Sequence, residues 1–116
     1  AGAGPGLGTT VNLPVAFGTD RREYLKRFRL ELDRFAALMQ PELVMISAGF
    51  DSHYQDPIGS LGLETEDFAQ LTQDVLEVAD AYAQGRVVSL LEGGYNTRVL
   101  PLCVETHLRQ LLQPGC

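Results

Sequence analysis

Leu43-Val44-Met45-Ile46-Ser47 is a near-continuous apolar run, and Ala48-Gly49-Phe50-Asp51 follows it without a break. A run of this kind reads as a strand buried on both faces, the habit of parallel sheets covered by helices. Arg86-Val87-Val88-Ser89-Leu90-Leu91 repeats the pattern, and Glu92-Gly93-Gly94-Tyr95-Asn96 follows it in turn. Thr10-Val11-Asn12-Leu13-Pro14 predicts a third, shorter strand closed by its proline.

Helical periodicity fills the intervals. Asp20 and Glu23 stand at capping-box spacing, and Tyr24, Phe28, Leu32 and Phe35 make one apolar stripe that Pro41 stops. Thr65 is placed to cap a second helix with the stripe Phe68, Leu71, Val75, Ala79 and Tyr82, and Gly85 stands at its C-cap. A last helix is expected from about Val99 to Leu112, with Pro101 in its first turn. Strands alternating with helices of this length imply βαβ units, a parallel sheet and right-handed crossovers. The fold class is therefore α/β, a parallel sheet with flanking helices. A three-stranded parallel piece would have a bare edge, which invites aggregation, so low solubility is expected of the chain by itself.

Composition narrows the function. The chain has 116 residues and a net charge of −6. Residues 21–34 hold six of the nine basic side chains, mixed with acids, and residues 61–85 hold six acids and no base. That is the solvated face of a helix rather than a nucleic-acid-binding stripe, so no nucleic-acid partner is expected. No apolar run reaches the length of a membrane span, so no membrane is expected either. The alternating glycines Gly2, Gly4, Gly6 and Gly8 precede a strand, whereas a phosphate-binding loop follows one, which argues against a nucleotide site there. The two cysteines, Cys103 within an apolar helical pattern and Cys116 at the last position, form no CxxC. So low a count matches a reducing, cytoplasmic compartment. The start, Ala-Gly-Ala-Gly-Pro-Gly, has neither Met nor a signal core, and reads as a cut from something longer.

In open parallel α/β sheets, ligands bind beyond the carboxyl ends of the strands. Two loops occupy that place. If their strands are neighbours, Asp51 and Tyr95 open onto one crevice. Asp51 can offer a hard carboxylate to a divalent metal, or it can simply make an Asx-turn. Tyr95, after Gly93-Gly94, can donate a hydrogen bond to a developing oxyanion, or pack its ring beneath the loop. His53 invites pairing with Asp51 but reads as a solvated loop side chain. His107 reads as exposed.

Taken together, the motifs resemble a known family. Ser47-Ala48-Gly49-Phe50-Asp51-Ser52-His53-Tyr54-Gln55-Asp56-Pro57-Ile58-Gly59 resembles the "SAGFDAH…DPLG" segment of histone deacetylases. Leu91-Glu92-Gly93-Gly94-Tyr95-Asn96 is similar to their "LEGGYN" segment. The opening glycines and Thr10-Val11-Asn12-Leu13-Pro14 resemble the family's glycine-rich loop and the strand after it. Phe50 and Glu92 look like the class II and bacterial deacetylase-like branch.

The resemblance implies an arginase/deacetylase-type three-layer α/β fold, of which residues 1–116 would be the C-terminal part of the catalytic domain. It implies zinc as cofactor, with Asp51 as one of three ligands. It makes Tyr95 the catalytic residue that polarises an acetyl carbonyl. Gly93, Gly94 and Ile58 would then border the substrate, and Asp56 would support the Asp51 loop from behind. At the position of Ile58, a Glu accompanies polyamine preference in one branch, so Ile58 leans toward acyl-lysine or another neutral-tunnel substrate. The family's other zinc ligands, an Asp-x-His, and its histidine pair are expected upstream, in a missing N-terminal half of the domain. Without them the 116 residues are expected to be inactive. The alternative is a non-catalytic α/β binding or interaction module of the same ancestry.

Overall fold

The structure is a computed structural model that describes residues 2–113. After a 3-10 turn at Gly4–Gly6 come α1 (Arg21–Met39), β1 (Val44–Ala48), α2 (Asp67–Tyr82), β2 (Val87–Leu91) and α3 (Leu100–Leu112). The chain is α/β, with a parallel sheet flanked by helices. The reading of Cys116 falls outside the described residues.

Local chemistry sets the helix ends. The Asp20 carboxylate accepts the Arg22 N–H at 2.8 Å and opens α1. Gln40, in the left-handed region (φ 48°), closes it one residue before Pro41. α2 is opened differently from expectation. The Thr65 hydroxyl is taken by His53, and Asp67 instead accepts the Glu64 N–H at 2.8 Å. At the other end, Gly85 (φ 75°) lets its N–H return to the Ala79 carbonyl at 3.0 Å, the wrap expected of a C-terminal glycine.

β1 and β2 pair in parallel, from Val44 opposite Val87 to Ala48 opposite Leu91. The sheet has two strands among the described residues, not three. Residues 10–14 find no strand partner. They lie along α1 instead: Arg27 donates to the Pro14 carbonyl at 3.1 Å, and Val11 and Leu13 share a hollow with Phe28, Leu32 and Phe35. With Pro14 lacking an N–H, the helix offers this segment apolar contact where a sheet edge would demand hydrogen bonds.

All three helices cover one face, that of Ile46 and Ser89. Ala48, Phe50, Leu63, Phe68 and Cys103 form the core there, with Tyr24, Ile46, Leu71, Leu100 and Val104 packed around it. Phe50 meets Phe68 edge-on at 5.1 Å between ring centres. The other face is bare. Met45 (62% exposed), Val88 and Leu90 (49%) stand on it, so the two-sided burial expected of the strands holds on one side only among the described residues.

Polar side chains lock the layers together. Arg29 reaches from α1 to Asp74 (2.8 Å) and Glu77 (2.6 Å) on α2, and Asp74 is fully buried. Arg21 likewise pairs with Asp67 and Glu64. His107, expected at the surface, is buried between α2, α3 and β2. Its Nδ1 lies 2.7 Å from the Thr72 hydroxyl and its Nε2 lies 2.8 Å from that of Ser89. No helix among the described residues is long and apolar enough to cross a membrane.

Candidate active site

Parallel pairing sends both strands out at the same end, so the loops after β1 and β2 leave side by side. Backbone bonds then join them: Glu92 N–H donates to Ala48 O (2.9 Å) and Phe50 N–H to Gly93 O (2.9 Å). Asn96 adds a side-chain bond to the Gln55 carbonyl at 2.8 Å.

The Asp51 carboxylate lies over two glycines. A Cβ on Gly93 would stand 3.2 Å from its Cγ, and one on Gly49 3.3 Å from its Oδ1. A side chain at either position would crowd the carboxylate. The side-chain hydrogen bonds to Asp carboxylates among the described residues fall on Asp20, Asp33, Asp56, Asp67 and Asp74, and none falls on Asp51. The Asx-turn left open by the sequence belongs to Asp56. Its Oδ1 accepts the N–H groups of Ile58 (2.8 Å) and Gly59 (2.9 Å). Its Oδ2 accepts the Tyr95 N–H at 2.8 Å, on the other loop. Burial alone would raise the Asp56 pKa, but the N–H donors of Gly59, Tyr95, Ile58 and Asn96 outweigh it and hold the carboxyl below its ordinary range.

Tyr95 is half exposed (52%) and Ile58 more so (70%), both on this rim. Gly94 (φ 134°) makes the sharp bend before Tyr95, and a Cβ there would stand 2.6 Å from Leu100.

His53 is not a solvated side chain. It is buried, its Nδ1 accepts the Gln55 N–H (3.0 Å), and its Nε2 must therefore carry the proton it shares with Thr65 Oγ1 (3.1 Å). The ring stacks on Tyr54 at 4.8 Å. Burial lowers its pKa, against the pull of Asp56, Asp67 and Glu66. Both nitrogens are spoken for, so His53 holds the loop and has no lone pair for a metal. Tyr24 was legible only as a member of the α1 stripe. It approaches the site from below, where burial and the nearby Asp51 carboxylate raise its pKa and a bond to Ser52 pulls the other way.

A divalent cation is the natural guest of a free carboxylate, and Asp51 has the chemistry of one oxygen donor. No group of three or more His, Cys, Asp or Glu side chains that could hold a metal occurs among the described residues. A catalytic zinc takes three protein ligands, so the described residues supply at most a share of one.

A profile of the histone deacetylase domain family matches residues 1–111, and the chain belongs to that family. Relatives include a type-2 histone deacetylase of Dictyostelium discoideum, 40% identical over 90% of this chain and 7% of the relative. The human polyamine deacetylase HDAC10 is 44% identical over 96% of the chain and 16% of its own length. A probable deacetylase of Archaeoglobus fulgidus is 36% identical over 82% of the chain and 26% of its own length. The chain thus spans about a quarter or less of each of these relatives.

Proposed function

We propose that residues 1–116 are the C-terminal part of a zinc-dependent deacetylase domain that cleaves an N-acetyl amide, of acetyl-lysine or a related acetylated amine, to free amine and acetate. The observation that carries this is the free Asp51 carboxylate seated over Gly93, two residues before Tyr95, on two loops bonded to each other.

Asp51 serves as one zinc ligand, and the remaining ligands come from an N-terminal half of the domain. Zinc, when bound, supplies a Lewis acid and an activated water. The Tyr95 hydroxyl donates a hydrogen bond to the acetyl oxygen as negative charge grows on it. The water oxygen ends on acetate, the C–N bond breaks and the departing amine takes up a proton. Gly93 and Gly94 carry the backbone that borders the acetyl group, Gly93 leaving room for the Asp51 carboxylate and Gly94 making the bend before Tyr95, and Ile58 lines the approach with an apolar surface suited to the neutral stem of acetyl-lysine. Asp56 supports the site from behind. The chain alone is inactive, because one carboxylate holds zinc weakly. Its scarcity of cysteine supports a cytoplasmic setting.

The test uses the complete protein with an acetyl-lysine peptide and an acetylated polyamine as substrates. Tyr95→Phe should keep its zinc and lose about 100- to 1,000-fold in turnover, the usual cost of removing an oxyanion donor. Asp51→Ala should lose zinc. Unchanged turnover in the first or full zinc in the second removes that residue from the role. Absence of turnover on every acetylated amine favours a binding module.

A further inference from the structure

We infer that Asp56 is a positioning residue for Tyr95, and that one carboxylate sets the geometry of both loops at once. The inference rests on the proposed role of Tyr95.

Asp56 is almost fully buried, and each of its oxygens serves a different loop. Oδ1 closes its own turn through Ile58 and Gly59. That turn places Gly59 directly beneath Asp51, where a Cβ would collide with the Asp51 carbonyl oxygen, and Ser60 N–H donates to the same carbonyl at 2.9 Å. Oδ2 crosses to the Tyr95 N–H. The backbone before Tyr95 is Gly93-Gly94, the least restrained dipeptide a chain can offer. Without an external anchor, the direction in which Tyr95 leaves the loop would be poorly defined. Phe50 N–H holds the Gly93 carbonyl and the Asn96 side chain holds Gln55, and the Asp56 carboxylate is the anchor at Tyr95 itself, acting on its backbone N–H.

The chemistry requires an acid. Every partner of Asp56 is an N–H donor, and a carboxylate accepts on both oxygens. An amide of the same shape would turn an NH2 toward one of the loops. Asp56→Asn therefore breaks either the turn or the link to Tyr95. Asp56→Ser separates the two, since its hydroxyl can still accept from the local turn but is too short to reach across.

In the complete protein, Asp56→Ser, which keeps the local turn under Asp51, should lower kcat by about 10- to 100-fold, the range for outer-shell partners, with zinc content and KM little changed. A structural role would also lower turnover, so the deciding readout is a double-mutant cycle. Placed on Tyr95→Phe, Asp56→Ser should cost little more, because its effect runs through the missing hydroxyl. A full, multiplicative loss on that background overturns the inference, as does wild-type turnover in Asp56→Ser. If Tyr95→Phe itself is fully active, the role of Tyr95 fails and amide exchange decides the positioning. With tyrosines labelled by 15N, Asp56→Ser should speed exchange at the Tyr95 N–H while Tyr24 and Tyr82 stay protected. Unchanged protection at Tyr95 overturns the inference.

Discussion

Thr72 and His107 fix each other's protons. The Thr72 hydroxyl donates to the Phe68 carbonyl at 2.6 Å, so its oxygen accepts from His107 Nδ1–H. His107 Nε2 is then the bare nitrogen, and Ser89 Oγ–H donates to it. The imidazole is neutral, buried, and edge-on to Phe50 at 5.7 Å between ring centres.

Acid should therefore loosen the junction of α2, α3 and β2. Burial lowers the His107 pKa from its ordinary value of 6.5. The folded value lies below the unfolded one, so the unfolded chain binds protons first as pH falls. The stability that neutral His107 confers is complete above about pH 6.5 and is lost as pH drops through that value toward the folded pKa. Urea unfolding at about pH 7.5 and about pH 5 should show a lower midpoint in acid. His107→Gln should shrink the difference, leaving the His53 share, which has the same sign. Equal midpoints in the parent protein at the two pH values would contradict this.

Arg29 should matter far more to stability than Arg109. Both make ion pairs, but Arg29 faces the buried Asp74 and also holds Glu77 and Asp33, whereas among the described residues Arg109 meets only the exposed Glu105 on its own helix. An exposed helical pair contributes about 0.3–0.5 kcal/mol. Losing the partner of a buried charge costs about 3–5 kcal/mol. Arg29 is itself partly exposed and Gln70 still donates to Asp74, so Arg29→Ala should cost about 2 kcal/mol, between those limits. Denaturation of both variants measures it; equal losses would mean that the clamp contributes nothing special.

Two glycines should refuse even a methyl group. Gly59→Ala forces a Cβ into the Asp51 backbone, and Gly94→Ala combines a positive φ with a clash on Leu100. Each should destabilise by about 1–3 kcal/mol and reduce zinc retention or turnover in the complete protein. Gly6→Ala meets only ordinary contact with Thr9 and should change stability by less than about 0.5 kcal/mol. Melting curves that do not separate Gly59→Ala from Gly6→Ala would count against the close approach described for Asp51.

What could be read from the sequence was whatever repeats over several residues. The apolar runs of β1 and β2 and the stripes of α1 and α2 stand out because many side chains obey one period. Residues 10–14 show the same local composition as a strand, yet pairing depends on a neighbour that a local window does not contain. The histidines depart from their expected exposure for a different reason. A polar label assigns them to solvent, while a partner far along the chain makes burial possible: Ser89 and Thr72 for His107, Thr65 for His53. A signal existed for His107, which continues the Leu100, Cys103, Val104 stripe at helical spacing. None existed for His53. Asp51 and Tyr95 were legible as loop tips beyond strands, but the bond from Asp56 to Tyr95 crosses 39 positions and has no local trace.

The in-register pairing of β1 with β2 has a consequence for how this region tolerates change in length. Neighbouring loops are brought together by the ladder from Val44–Val87 to Ala48–Leu91, and the length of α2 plays no part in measuring the gap. Residues inserted near Gln84, at the end opposite the two loops, would lengthen the detour and leave its destination where it is. The separation of Asp51 and Gly93 along the chain is thus an accident of the helix between them, and their closeness in space is not.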